Sequence, residues 1–387
     1  MLKFLTASTA EVDDPEAAVA EILEQLDLAQ GLLTHSVGII ACYNDFIFSG
    51  ILDALREKLP FDVIGCTVIG SAAGGAYGME QLSLTVLTSD EIRFSTSIST
   101  DISKDNIAGP IEDAWQRARA ELPGDPALCL AFFPILKEVS GDQMVRQLDA
   151  ACGGVPVFGT LSNDSSLSVD GSRTFLNGVA HSSQLALLLL HGPLTPRFYV
   201  ASISPKHIQH QKALVTASEG YMVTAVNNMP FIDYLASIGV QKETLTALTT
   251  LPFMVDYGDG APPVALAIYS ISPEGALCGG LMPVGAGVTF TEIDYESVME
   301  TAESALGLAL EDAVKNGANG ILAIPCLTRS LMISPNVEDE MKKTVDMLNG
   351  KFPFMMLYSG GEVCPLRTEA GALINRFHNY TYTLVVF

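Results

Sequence analysis

The residues of this chain best suited to chemistry lie near its C-terminus, each beside an apolar run. A thiol and a guanidinium follow one run, a carboxylate follows the next run after a glycine hinge, and an imidazole and an amide precede the last run. In chain order these residues are Cys326, Arg329, Gly361, Glu362, His378 and Asn379. If the runs are neighbouring strands, their ends meet at one edge of a sheet and the side chains share a pocket.

This pocket would contain both signs of charge. Arg329 can bind a carboxylate through two parallel hydrogen bonds, and Glu362 can accept hydrogen bonds from an ammonium group. Cys326, His378 and Asn379 would shape the space between them. The sequence therefore predicts a binding site for a small polar zwitterion such as an amino acid.

Two other interpretations of the same residues stay open. An internal pair between Arg329 and Glu362 would fix the turn and bind nothing, and composition alone favours neither possibility. Cys326, with His378 as base and Glu362 as the group that orients it, would supply the residue types of a thiol-dependent hydrolase. Because a cysteine at a strand end is usually a small core residue, we favour ligand binding and assign no catalytic residue.

Two further motifs have simpler interpretations. His207 and His210 have the spacing of two metal ligands on a helix, but no carboxylate or further histidine lies close by in the sequence, so a solvated loop is predicted. Residues 71–78 (SAAGGAYG) are rich in glycine but lack the lysine of a phosphate-binding loop, which predicts a flexible turn. We therefore expect neither a metal nor a cofactor.

An order of strand, helix, strand and added strand occurs three times along the chain. The first apolar runs are 37–42, 128–133 and 320–326; the second are 61–67, 155–160 and 352–358; the closing runs are 82–87, 184–190 and 382–387. The spacing of the first and second runs fits a strand, a crossover helix and a parallel strand. This predicts an α/β fold with mixed sheets covered by helices, divided into domains 1–205 and 206–387.

The repeat also marks second-rank candidates for ligand binding in the earlier copies. Cys66 and Thr67 end a second strand, and Arg173 and Asn177 flank the added strand of the middle copy. These positions correspond in order to the C-terminal candidates. This analogy makes them second-rank candidates for ligand binding.

Composition limits the partners of the chain. Its 387 residues include 44 acidic and 21 basic side chains, a formal net charge of −23, which makes nucleic acid and anionic membranes unfavourable partners. With 48% hydrophobic and 17% charged residues, the chain is expected to fold compactly. The seven cysteines are scattered singly, and no apolar run approaches the ~20 residues of a membrane helix. These features predict a cytoplasmic protein.

The sequence resembles the FIST family of bacterial proteins, which have an N-terminal and a C-terminal FIST domain. The matching C-terminal residues are Cys326, Arg329, Glu338 or Glu340, Pro353, Gly361, Glu362 and the run 378–381. In the first half the likeness depends on Gly65, Cys66, Thr67 and residues 71–75, and between the halves on residues 224–235 and 282–287.

This resemblance implies a sensory module that binds a small molecule, with amino acids among the implied ligands, in signal transduction. The family often carries an arginine in the strand that corresponds to residues 264–271, and this chain has none there. No output domain is recognisable in the sequence. We therefore expect the signal to pass to a separate protein partner.

Overall fold

Two copies of one structural unit occupy the first half of the chain. The computed structural model describes residues 2–165, 170–203, 206, 212–240 and 252–387. The first unit comprises β1 (Leu2–Thr9), α1 (Pro15–Leu26), α2 (Leu28–Gly31), β2 (His35–Cys42), α3 (Asp45–Phe48), α4 (Ile51–Lys58), β3 (Val63–Thr67), β4 (Ser71–Ala73), β5 (Ala76–Gly78) and β6 (Leu82–Ser89). The second comprises β7 (Arg93–Ile98), α5 (Ala108–Ala120), β8 (Leu128–Phe133), α6 (Gly141–Cys152), β9 (Val157–Leu161), β10 (Thr174–Leu176), β11 (Val179–His181) and β12 (Ala186–His191).

The third unit is interrupted by an inserted antiparallel sheet. It opens with β13 (Arg197–Ala201). The inserted region follows as β14 (Ala213–Glu219), β15 (Met222–Val226), β16 (Met229–Pro230), α7 (Phe231–Ser237), β17 (Phe253–Asp256), β18 (Val264–Leu266), β19 (Ile268–Ser272), β20 (Gly275–Cys278) and β21 (Gly287–Phe290). The unit resumes with α8 (Tyr295–Asn316), β22 (Ile321–Pro325), α9 (Leu327–Met332), α10 (Asp339–Leu348), β23 (Phe354–Leu357), β24 (Glu362–Arg367), β25 (Leu373–His378) and β26 (Tyr382–Val386).

Each unit has a parallel strand pair at its centre: β2 with β3, β8 with β9, and β22 with β23. Successive residues of these strands point into different cores. In β8, for example, Leu130 packs into a core shared by all three sheets, whereas Cys129 and Ala131 pack against the helices of their own unit. Strands covered on both faces carry unbroken apolar runs, which explains the sequence pattern.

A hairpin from each unit completes the sheet of another unit. The hairpin β4–β5 pairs with β23, β10–β11 pairs with β3, and β24–β25 pairs with β9. The three six-stranded sheets have the orders β1-β6-β2-β3-β10-β11, β7-β12-β8-β9-β24-β25 and β13-β26-β22-β23-β4-β5. Because the exchange is cyclic, each unit is bound to both others around the shared core.

The structure confirms the α/β class and the repeated units with mixed sheets and covering helices. The prediction of a simple turn at residues 71–78 is wrong, because these residues form the β4–β5 hairpin, which pairs with a strand of the third unit. A domain boundary at residue 205 stays a prediction; β13 lies before it and pairs with β26. His207 and His210 lie outside the described residues.

Candidate functional site

The ends of β22 and β23 and the start of β24 form one buried cluster. Cys326 follows β22 and makes a parallel bridge with Ser359, just beyond β23. The Cys326 amide also donates a 2.9 Å hydrogen bond to the carbonyl of Thr381, directly before β26. Glu362, the first residue of β24, lies against the same threonine. Backbone pairing between strands therefore fixes the thiol and the carboxylate relative to each other.

The Glu362 carboxylate is fully buried and only half satisfied. Its Oε2 accepts hydrogen bonds from the Thr381 hydroxyl (2.8 Å) and the Thr381 amide (3.2 Å). Its Oε1 has no hydrogen-bond partner of good geometry among the described residues. Burial raises the pKa of Glu362 to about 8, although the Thr381 donors and the nearby Cys326 thiol act in the opposite direction.

His378 lies directly opposite Glu362 in the antiparallel β24–β25 pair, so the two side chains share one face. The imidazole is buried, and its Nε2 lies 3.0 Å from the carbonyl of Cys364. Since a carbonyl only accepts, we assign the ring proton to Nε2, which leaves Nδ1 as an acceptor. Nδ1 has no partner among the described residues. Burial lowers the pKa of His378 to about 4, so the ring is neutral at pH 7.

The Cys326 thiol lies in surroundings that disfavour a thiolate. Burial and the negative charge of Glu362 both raise the pKa of Cys326 far above its usual value. The reactive form of cysteine is the thiolate, which needs a positive environment. The Nε2 of His378 is engaged with the Cys364 carbonyl. The geometry gives no support for a nucleophilic role of Cys326, and a thiol-dependent hydrolase stays only a hypothesis.

Arg329 pairs with a different carboxylate from the expected one. The guanidinium is fully buried, and its Nε and Nη2 donate to Oε1 of Glu340 at 2.8 and 2.7 Å. Further hydrogen bonds reach groups at Val298 (2.7 Å), Thr301 (3.0 Å) and Tyr380 (3.1 Å). The expected arrangement, with Arg329 and Glu362 facing each other across a ligand, is therefore not formed. Ligand binding by Arg329 stays a prediction.

Asn379 and Gly361 have structural contacts in this region. The Asn379 side-chain oxygen accepts a 3.0 Å hydrogen bond from the backbone amide of Ala267. The backbone amide of Asn379 donates to the Ala265 carbonyl at 2.9 Å. Asn379 therefore connects β25 to the inserted sheet. At Gly361 a Cβ would lie 2.5 Å from the Phe377 ring, so the close packing of that ring requires glycine.

The second-rank candidates Cys66, Thr67 and Arg173 lie where the first unit contacts the second. Cys66 is fully buried at the end of β3. The Thr67 amide donates to the Arg173 carbonyl, and the Arg173 amide donates to the Thr67 hydroxyl, both at 2.8 Å. The Arg173 guanidinium donates to two carbonyls of its own loop. These contacts join the second unit to the first.

Asn177 is a turn residue of the β10–β11 hairpin, with a φ of 52°. Its side chain accepts from the Val63 amide and donates to Asp62, both at 2.9 Å. Strand register shows which residues correspond to Glu362, which lies opposite Thr160 of β9. The equivalent hairpin residues are Thr174, opposite Cys66, and Ser71, opposite Leu357. Neither Arg173 nor Asn177 occupies the position of Glu362.

Sequence reasoning missed Tyr269 in β19 of the inserted sheet. The residue is 49% exposed, while its hydroxyl lies close to Gly279. Burial raises the pKa of Tyr269, and the charges of Cys326 and Glu362 add to that effect. A Cβ at Gly279 would lie 3.1 Å from the tyrosine hydroxyl and 2.8 Å from the Asn379 side chain. The pair Gly279-Gly280 after a strand was the available sequence signal for this close approach.

Comparison with known proteins identifies the family. The model of the FIST N domain matches residues 36–229, and that of the FIST C domain matches residues 231–365. The chain belongs to the FIST family. FIST domains are associated with sensory signal transduction. The two matches meet inside the inserted region of this FIST protein.

Solved structures similar to this FIST protein include two of cyanuric acid hydrolase. The enzyme from A. caulinodans is 11% identical with a TM-score of 0.38, and the match covers 100% of this chain and 99% of that one. The second is 9% identical with a TM-score of 0.33, covering 76% of this chain and 100% of that one. At these identities and TM-scores we infer nothing about binding or catalysis. No curated protein matches the chain.

The described part of the chain offers no group of three or more His, Cys, Asp or Glu side chains arranged to hold a metal ion. None of the helices within the described ranges is both long and apolar enough to cross a bilayer.

Proposed function

We propose that this FIST protein is a small-molecule sensor whose ligand presents an ammonium group to Glu362 and His378, and that binding is relayed to a separate signalling protein. The observation that carries the proposal is a pair of buried acceptors, Glu362 Oε1 and His378 Nδ1, without partners among the described residues. A buried polar atom left unpaired costs about 1–3 kcal/mol. A ligand that donates hydrogen bonds to both atoms recovers that free energy.

The repeat supports a functional role for the carboxylate. The two positions equivalent to Glu362 are occupied by neutral residues whose hydroxyls are satisfied. Thr174 donates to the Gln184 carbonyl at 2.7 Å, and Ser71 bonds to the Ser83 hydroxyl at 2.8 Å. The strand pairing of the fold therefore does not require a charge there. A buried carboxylate at the third position is unfavourable for folding alone, which favours selection for binding.

The same chemistry defines the ligand class. In the ionised form of Glu362 both unpaired atoms are acceptors, so the ligand must donate, and an ammonium group offers three donors and a charge that favours this ionised form. Amino acids and related zwitterions fit this requirement, in agreement with the family's association with sensing. In this proposal the ligand enters beside the half-exposed Tyr269 ring.

Binding should also depend on pH. Because the pKa of Glu362 is raised to about 8, the free carboxyl group holds a proton at neutral pH. An ammonium ligand favours the ionised form, so binding releases that proton. Affinity should therefore rise between pH 6 and pH 8. Calorimetry in buffers of different ionisation enthalpy measures the proton release.

A thermal-shift screen tests the proposal with three groups of probes: L-amino acids, their decarboxylated amines, and small carboxylates without an amine. The wild type and the control Glu274→Gln, which replaces an exposed carboxylate, should be stabilised by members of the first two groups. Glu362→Gln should not respond. The proposal is wrong if no amine-containing probe stabilises the wild type, or if Glu362→Gln responds equally.

A further inference from the structure

We infer that Arg376 is the carboxylate-binding group of this site, and that Asp259 of the inserted region occupies it in the free protein. This inference depends on the proposed function at Glu362 and His378, and it replaces Arg329 as the group that recognises the negative end of the ligand. It also gives the inserted region a direct part in sensing.

Arg376 has the right position in the hairpin. It lies opposite Cys364 in the β24–β25 pair, two residues from the Glu362–His378 pair along the same strands. Side chains two residues apart on a strand share a face and are separated by about 7 Å. The positive charge of Arg376 is close enough to oppose protonation of His378 and lower its pKa. Arg376 therefore starts from the same face of the hairpin as the two unpaired acceptors.

Packing against an aromatic ring fixes the orientation of the Arg376 guanidinium. Its centre lies 4.9 Å from the centroid of the Tyr257 ring, and its side chain is only 12% exposed. Stacking on an aromatic ring orients the plane of an arginine and leaves its edges free for hydrogen bonds. One edge carries Nε and Nη2, the two donors that bind a carboxylate in parallel.

That edge is only half occupied. Nη2 donates to Oδ2 of Asp259, whereas Nε is buried without a partner among the described residues. Asp259 is constrained because its other oxygen accepts a 3.1 Å hydrogen bond from the Ala261 amide in its own turn. By contrast, both Nε and Nη2 of Arg329 donate to Glu340. Arg376 therefore has an unused donor, and Asp259 is a weak substitute for a two-point carboxylate ligand.

A ligand carboxylate that engages both Nε and Nη2 displaces Asp259. Asp259 lies between β17 and β18, so its release changes the contact between the inserted sheet and the β24–β25 hairpin. This exchange provides a path from the bound ligand to the inserted region. It also makes the site select zwitterions over simple amines.

Calorimetric titrations with matched probes test this inference: L-leucine with isopentylamine, L-histidine with histamine, and L-arginine with agmatine. The wild type should bind at least one amino acid about tenfold or more tightly than its amine, the range expected for a two-point contact with an arginine. Arg376→Gln should abolish this preference by weakening binding of the amino acid, whereas the amine, relieved of a nearby positive charge, should bind no more weakly than to the wild type. Arg367→Gln, on the neighbouring strand with an exposed side chain, is the control and should keep the preference.

Asp259→Asn provides an independent measurement if Arg376→Gln fails to fold. Removing the competing charge should tighten binding of the amino acid several-fold and should not tighten binding of the amine, which gains no contact with Arg376. The inference is overturned if Arg376→Gln keeps the wild-type preference or if Asp259→Asn leaves both affinities unchanged, while amine binding through Glu362 would still support the proposed function. Absence of binding by every probe to the wild type contradicts both.

Discussion

Two buried pairs of ionisable residues in the third unit differ in how their charges are compensated. Arg329 and Glu340 are both fully buried and joined by two hydrogen bonds, with further protein donors and acceptors around the guanidinium. Glu362 and His378 are equally buried, and each keeps an acceptor without a partner among the described residues. Oε2 of Glu340 also lacks a partner there, but the charge of its carboxylate is compensated by Arg329. The first pair neutralises itself within the protein. The second pair contains no ion pair to compensate an ionised Glu362, and this difference separates a structural pair from a candidate site.

Breaking the self-neutralised pair should have the largest effect. Arg329→Met leaves the Glu340 carboxylate buried without its counter-charge, so the free energy of unfolding should fall by about 3–5 kcal/mol in urea denaturation. The double variant Arg329→Met/Glu340→Leu should recover most of this loss, because no buried charge remains.

Lys342→Ala is the control, since it removes an exposed ion pair with Asp346, worth about 0–1 kcal/mol. If Arg329→Met lowers the free energy of unfolding no more than this control does, the buried pair is not required for the stability of the fold.

Ionisation of Glu362, in the pair with His378, should make the free energy of unfolding depend on pH. The folded pKa of Glu362 is about 8, above its unfolded value of 4.5, so only the folded state holds this proton between the two values. The wild type should therefore lose stability relative to Glu362→Gln as pH rises from 4.5 to 8, by up to about 1.4 kcal/mol per pH unit. Urea denaturation of both proteins at pH 5, 6.5 and 8 measures the difference. A difference that does not change with pH would mean that the carboxyl group is solvated.

His378 should produce a smaller effect of opposite slope. Its folded pKa of about 4 lies below its usual 6.5, so the unfolded state takes up a proton first as pH falls. The wild type should lose stability between pH 6.5 and pH 4 relative to His378→Gln. Thermal denaturation of the two proteins across this range provides the comparison. Parallel curves would indicate that the imidazole is protonated in the folded protein and that Nδ1 has a partner.

The repeated α/β units could be predicted from the sequence because strands buried on both faces need continuous apolar runs. The 22-residue helix α8 was also predictable, from its apolar stripe and the glycine that follows it. The hairpin exchange was not, since the partner strand of residues 71–73 lies in another unit and local sequence does not encode a distant register. The same reason explains why residues 71–78 were interpreted as a turn.

The candidate site was predictable in part. The sequence indicated Cys326, Glu362 and His378 because each adjoins a strand end. It could not choose the partner of Arg329, since the position of α10, which carries Glu340, is set by packing. Tyr269 and Arg376 were missed because their roles depend on where the inserted sheet lies against the β24–β25 hairpin.

The sequence by itself determined which segments form buried strands and which ionisable residues accompany their ends, because both follow from local hydrophobicity and chain order. Only the tertiary structure decided how those charges are paired. Hydrogen bonds and ion pairs depend on distances of a few ångströms between residues far apart in the chain. The packing of three exchanged sheets and one inserted sheet sets those distances, satisfying Arg329 and leaving Glu362, His378 and Arg376 each with an unused polar atom among the described residues.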